Sequence, residues 1–543
     1  MSPQSGAGCC PAPLCVPDND EIEKDFNMPM MAPPPLTPIL GTAPALSEHA
    51  ALMRLPFQTG DDDRVVIVVS GAAVLSERAA QAALKRAKTL SDAIYELAQA
   101  CYDAGYPAAQ LLYARSGDTV YVQVELHGVA GTQGPTEITR YFDDIDREQP
   151  LTMGTLERRR LLASFYTSRA NLDVQPKLIE QNGQYQLDFK PSKHERDEPI
   201  AEVEFGNPGN RFVGRYFVDT TLRYSWASGD EVLGDWNHGL TGLGGSEGAD
   251  SFNEENLAWS RATTYGVFGL SGRNLDYRQH ADDAATGIRM NYKGEVQRAQ
   301  TYASLPVLAG LHWRWLADAR IDYTDRQYRE TTTHTQLLAQ QYESLQLAAF
   351  YFSELSVLGR PLDLSAGFTV RKGLRSDDHD PLVMADLGYT LIRPEFRALL
   401  TPTAAWRLRL EATLQWTGDA LPGEEQWNLG GFDNVQAYLP GVAAGDSGGI
   451  LRLQGEYRPW QIGPLSVNPV LFTDYAYARL ESPSDADDGG TQSIAEVGAG
   501  LMAKLRRYEA RMSIAEPLGD KGIATRTLRD SRANLLFSLK AAF

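Results

Sequence analysis

The chain has 543 residues, 43% hydrophobic and 22% charged, with 70 acidic against 51 basic side chains and a net charge of −19. That length exceeds the usual single-domain range, so more than one folded unit is expected, and an acidic chain without a basic stripe argues against nucleic acid, whose phosphates want clustered Lys and Arg. No apolar run of about 18 residues occurs, so no transmembrane helix is readable; a membrane barrel stays open, because alternating strands average to an ordinary hydropathy.

Residues 1 to 64 read as a flexible leader, with acidic residues between Asp18 and Asp25 and prolines at Pro29, Pro33, Pro34, Pro35 and Pro38. A short helix from Leu46 to Leu55 is expected before Pro56. Cys9, Cys10 and Cys15 crowd this leader and Cys101 stands apart, which implies no disulfide framework. Neither a partner pair nor a preceding apolar segment supports metal or lipid at the three, and the basic-then-apolar signature of a signal peptide is not read.

From Val65 a compact α/β unit follows. It comprises a strand Val65 to Val69, helices over Ser76 to Lys88 and Leu90 to Asp103, a Gly105-Tyr106-Pro107 turn, and strands near Leu111 and over Thr119 to Leu126. A second unit over 131 to 196 is expected to carry a strand Glu137 to Phe142, a helix Thr155 to Tyr166, and strands Leu172 to Glu180 and Tyr185 to Lys190. Asn182-Gly183 between the last two is a hairpin signal. Cys101 falls on a helix as a buried small hydrophobe.

Beyond residue 200 period-two alternation takes over. Trp406, Leu408, Leu410, Ala412, Leu414 and Trp416 interleave with Arg407, Arg409, Glu411, Thr413 and Gln415, and the last strand sets Leu535, Phe537, Leu539, Ala541 and Phe543 on one face. Alternation alone fits a sandwich or a barrel. Connections break the tie: Arg458 to Gly463 and Leu505 to Tyr508 are short, while Glu481 to Gly490 and Gly519 to Asp530 are long, as in outer-membrane barrels. The span 197 to 543, at about 20 residues per strand and connection, makes around sixteen strands.

Gln415, Leu421-Pro422, Glu425-Gln426-Trp427, Leu429-Gly430-Gly431, Val435-Gln436-Ala437-Tyr438, Gly445-Asp446, Glu456 and Phe472-Thr473-Asp474 stand in the order and spacing of one family. This stretch resembles the outer-membrane transporters of two-partner secretion (TpsB type, haemolysin activation/secretion proteins), within the POTRA plus β-barrel superfamily. The resemblance implies two periplasmic POTRA-like domains, at 65 to 130 and 131 to 196, and a transmembrane barrel. It also implies a long inward-folded loop, an assembly signal at Phe543 with Phe537, and export of a large unfolded exoprotein, of adhesin or haemolysin type, bearing an N-terminal secretion domain. Energy would come from that partner's folding outside the cell. Lipid and the barrel-assembly machinery would be the other partners of a monomer in a Gram-negative outer membrane. A barrel-assembly factor of the same superfamily and a passive porin are the alternatives.

The sequence departs from the family at the loop, where V-R-G-Y becomes Val435-Gln436-Ala437-Tyr438, and at Ala476, where a Gly often follows F-x-D-x. In the family the loop Arg meets the Asp of the strand motif. Strand alternation from Leu465 to Tyr477 turns Phe472 and Asp474 to the lumen and likewise places Arg452 between outward Leu451 and Leu453. Arg452 or Arg409 is therefore expected to supply the missing charge, with Gln436 keeping a weaker contact to Asp474.

Other motifs are weaker. Gly445-Asp446-Ser447-Gly448-Gly449 spells a serine-protease nucleophile signature, but no histidine stands in a matching context, so a glycine-rich loop is the reading. Asp377, Asp378, His379 and Asp380, and also Asp485, Asp487 and Asp488, match no ordered calcium loop and read as solvated loops. No P-loop or dinucleotide fingerprint appears, and no cofactor, bound metal or enzyme activity is expected.

Overall fold

The computed structural model describes residues 32–60, 64–193, 201–210, 213–244, 248–282, 289–379, 385–458, 460–481 and 490–543. None of the described helices is long and apolar enough to cross a membrane.

In the first unit β1 (Ile39–Leu40), α1 (Ala43–Ser47), β2 (Ala51–Gln58), β3 (Arg64–Gly71), α2 (Glu77–Arg86), α3 (Leu90–Asp103), β4 (Ala109–Ser116) and β5 (Thr119–Leu126) follow in chain order. The sheet runs β1-β4-β5-β3-β2. Alternation in β3 and β5 sends Ile67, Val69, Val120 and Val122 into a core closed by Ala93, Ile94, Leu97 and Cys101 of α3. A capping box between Thr89 and Asp92 starts α3. Burial pushes the Cys101 thiol up to about 12.

The expected leader and helix are corrected here. Residues 51–58 form an edge strand, and Leu55 and Phe57 alternate into the core. Pro56 is tolerated because an edge strand can spare a donor. The sheet thus begins upstream of Val65; the leader cysteines lie outside the described residues.

The second unit carries β6 (Thr132–Gln133), α4 (Thr136–Thr139), α5 (Met153–Arg169), β7 (Leu172–Gln181) and β8 (Gln184–Lys193), with sheet order β6-β8-β7. Asn182 and Gly183 both take positive φ, the tight hairpin that the pair requires. The strand expected over Glu137 to Phe142 is instead α4 followed by a 3₁₀ turn. Ile138, Tyr141 and Phe142 are spaced for one helical face, and all three are buried.

The remaining strands close a barrel. They are β9 (Ala201–Gly206), β10 (Phe217–Ser225), β11 (Asp230–Gly239), β12 (Ala249–Ala262), β13 (Val267–Asp282), β14 (Arg289–Gly310), β15 (Trp313–Glu330), β16 (Thr335–Val357), β17 (Arg360–His379), β18 (Thr390–Thr403) and β19 (Trp406–Thr417). A hairpin β20 (Trp427–Leu429) and β21 (Ala443–Gly445) interrupts the wall. Then come β22 (Ser447–Tyr457), the short β23 (Trp460–Ile462), β24 (Leu465–Arg479), β25 (Thr491–Leu505), β26 (Tyr508–Lys521), α6 (Thr525–Asp530) and β27 (Leu536–Ala542). With β23 counted as part of a turn, the antiparallel wall has 16 strands, and β27 pairs with β9 to seal it. Phe543 extends that seam by donating its N–H to the Ala201 carbonyl at 2.8 Å. Part of the connection expected as a long loop from Gly519 to Asp530 is α6.

The wall is apolar outside and charged inside. Trp406, Leu408, Leu414 and Trp416 face outward and exposed, whereas Asp318, Arg320, Asp322 and Arg326 of β15 are buried inward. Trp406 and Trp416 lie ten residues apart on one strand; at ~3.4 Å per residue and a tilt of about 40° they bracket roughly 25 Å, the height of an outer-membrane apolar band.

Helix α5 ties the second unit to this barrel. Leu161 packs against the inward side chains Leu316, Phe350 and Phe352 near the mouth. Arg158 Nε donates to the Pro306 carbonyl at 3.2 Å, and Arg169 donates to the Gly229 carbonyl at 3.0 Å and to Ser260 Oγ at 2.8 Å.

Candidate functional site: the inward-folded loop

Between β19 and β22 the chain turns into the lumen. Its base is held by Gln415, whose side-chain amide donates to the carbonyls of Glu425 and Asp446 at 2.8 Å each. Asp446 accepts from the N–H groups of Leu421 (2.9 Å) and Glu481 (2.7 Å) and from the Gln426 amide at 3.0 Å, so its carboxylate braces three segments. Gly430 has φ +96°, and a Cβ there would stand 2.1 Å from the Leu439 carbonyl oxygen; only glycine fits this turn.

The loop's acidic pair reaches across the lumen. Glu424 lies 3.1 Å from Arg273 and 3.9 Å from Arg326, and Glu425 lies 3.1 Å from Arg298 and 3.0 Å from Arg371. These arginines project from β13, β15, β14 and β17, so one short segment bridges four wall strands.

At the tip the lock has two halves. Arg452 clamps Asp474 bidentately, Nε to Oδ1 and Nη2 to Oδ2 both at 2.9 Å, and Nη2 also donates to the Asn434 carbonyl at 2.5 Å. Glu496, opposite Asp474 on the neighbouring strand, accepts from the backbone N–H groups of Gln436 at 2.7 Å and Ala437 at 2.6 Å. Val435, Ala437 and Tyr438 are buried. The Phe472 ring lies over Gly498, where a Cβ would approach it to 2.0 Å. Backbone bonds from Leu439 N–H to Ser531 O (2.7 Å) and from Ala533 N–H to Ala437 O (2.9 Å) join the tip to the segment entering β27.

The model of haemolysin secretion/activation proteins of the ShlB/FhaC/HecB type matches residues 201–503. The chain belongs to that family. It is a two-partner secretion transporter: an outer-membrane barrel with N-terminal units in the periplasm that exports a partner protein. Among solved structures it is similar to CdiB from Escherichia coli, with a TM-score of 0.65 and 15% identity, covering 92% of this chain and 95% of that one. It is also similar to CdiB from Acinetobacter baumannii, with a TM-score of 0.61 and 12% identity over 97% of both. No curated protein matches by sequence.

Against the family pattern, Arg452 stands on Asp474, as strand alternation predicts, while Arg409 pairs with Glu411 at 3.6 Å instead. The expected contact from Gln436 to Asp474 is corrected. The Gln436 amide donates to the Phe432 carbonyl at 3.2 Å, and its oxygen accepts from the Ser513 hydroxyl at 2.5 Å. Its backbone, not its side chain, carries the acidic contact, and that contact is to Glu496.

Alternation with the outward Leu270, Ile321 and Val497 turns Arg273, Arg326 and Glu496 inward, but the sequence carries no local signal that pairs them with the loop. In the protease-like motif Ser447 Oγ accepts from Thr417 N–H at 3.1 Å and donates to the Thr417 carbonyl at 3.2 Å, a structural use. Among the described residues no acidic or His/Cys group is arranged for a metal; Asp380, Asp485, Asp487 and Asp488 lie outside them.

Proposed function

We propose that the inward loop is the resting gate of the export pore, and that the partner crosses as an extended, unfolded chain. The observation that carries this reading is the double anchoring of the loop, by Glu424 and Glu425 at the base and by Arg452, Asp474 and Glu496 at the tip. The ionic part of these anchors can exchange for polar contacts to a passing chain, while release of the tip also withdraws Val435, Ala437 and Tyr438 from an apolar cluster with Phe472 and Ile494. Upstream, the two α/β units, the first beginning with β1, act as POTRA-like domains. Among the described residues β2 and β7 stand at the edges of their sheets, where an extended partner would join by strand addition. Gly430, Gly431, Gly445 and Asp446 shape the loop's entry. Phe543 and Phe537 form the signal read by the barrel-assembly machinery, and the protein works as a monomer in lipid. The chain performs no catalysis of its own.

The test is secretion of a large exoprotein encoded beside this gene, with and without the transporter. The exoprotein appears in the medium only with the transporter present, while other outer-membrane barrels assemble equally in both strains. Loss of those barrels would favour an assembly factor, and free diffusion of small solutes through the resting protein would favour a porin.

A further inference from the structure

We infer that the wall stripe Arg273, Arg298, Arg326 and Arg371 is a transit site for acidic segments of the exported chain, and that Glu424 and Glu425 are its internal stand-in. This rests on the export reading. Arg273 and Arg298 are direct cross-strand partners, and like charges placed opposite one another destabilise a sheet unless an anion lies between them. Wall carboxylates answer part of the charge: Glu254 Oε1 lies 2.6 Å from Arg273, and Asp322 Oδ2 lies 3.3 Å from Arg371. The loop adds one carboxylate to each of two arginine pairs, bridging Arg273 with Arg326 and Arg298 with Arg371.

Two carboxylates on adjacent residues of a turn therefore occupy guanidiniums spread over β13, β14, β15 and β17, as the carboxylates of a passing acidic segment would. Guanidinium forks favour carboxylates over other polar groups. If the loop leaves without a replacement, several buried cations lose counter-charges, a costly state. An acidic stretch of the passing chain removes that cost, so loop release and occupation of the stripe by carboxylates favour each other. The molecule as a whole is strongly acidic, with a net charge of −19, so the stripe is a local cationic exception that attracts such a segment.

The experiment is conductance of the purified full chain in planar bilayers, with hexaglutamate and hexalysine as probes, for the wild type and Glu424→Gln/Glu425→Gln. The double variant should conduct more often and be blocked by hexaglutamate at a concentration at least ten-fold below that needed in wild type, with no such gain for hexalysine. Adding Arg298→Ala and Arg371→Ala should abolish the block. Equal block by both peptides, or none by hexaglutamate in an open double variant, overturns the inference. If the double variant yields no folded barrel, Glu425→Gln alone is read in the same way. Peptide block needs no secreted partner, so failure here leaves the export reading to its own secretion assay.

Discussion

Asp474 is 2% exposed and its two carboxylate oxygens meet one guanidinium, so Arg452→Ala leaves a buried charge without its cation, a loss of about 3–5 kcal/mol in comparable cases. The variant should lower the temperature at which the barrel unfolds in gel-shift assays and raise its open probability. Arg452→Ala/Gln436→Arg should recover much of both, because an arginine at 436 can approach Asp474 from the loop side; no recovery would mean that Arg452 acts through the Phe432 and Asn434 carbonyls instead. Cys101 gives a pH prediction. Its folded pKa of about 12 is raised by burial above the ordinary thiol value of ~8.5. The buried thiol therefore contributes stability that is complete below the unfolded value and is lost as pH rises from there through the folded one. Thiol labelling of Cys101 in the native protein should stay slow at pH 9, and Cys101→Ala should flatten the alkaline loss of stability of the first unit. Rapid native labelling at pH 8 would show the site to be open.

The elements differ in how far the sequence reveals them. Helix α3 is legible over Leu90 to Asp103 from its apolar spacing, and the β7–β8 hairpin from Asn182-Gly183, because both are local signals. Strand β2 is hidden: Pro56 reads as a breaker, and only the neighbouring β3 shows that an edge is available. The loop's entry motif is legible as a family pattern and alternation anticipates the Arg452–Asp474 pair, yet the other anchors are not legible. Glu496 and the four arginines lie on strands distant in sequence, and alternation gives their face but not their partner. Helix α5 was expected, but its docking was not, since Leu161 finds its partners on β15 and β16. Leu161→Asp should cost on the order of 1.5–3 kcal/mol of apolar contact and loosen the second unit from the barrel, seen as faster hydrogen exchange over 153–169. Unchanged exchange there would place the rigidity elsewhere.

For the whole molecule, an even strand count brings β9 and β27 to one end, beside the second unit, and the exposed apolar belt faces lipid. Protease added to intact cells should leave residues 65–190 uncut; cleavage there would reverse the topology. The loop is held in the charged lumen by ionic anchors and by an apolar cluster of Val435, Ala437 and Tyr438 with Phe472 and Ile494, so opening has to exchange both. The most direct measurement uses the purified full chain in liposomes with the loci's own exoprotein added unfolded at the periplasmic face. The exoprotein should become protease-protected on the far side only in vesicles containing the transporter, and an unrelated unfolded polypeptide should not. Absence of protection, or equal protection of the unrelated polypeptide, would contradict substrate-specific export.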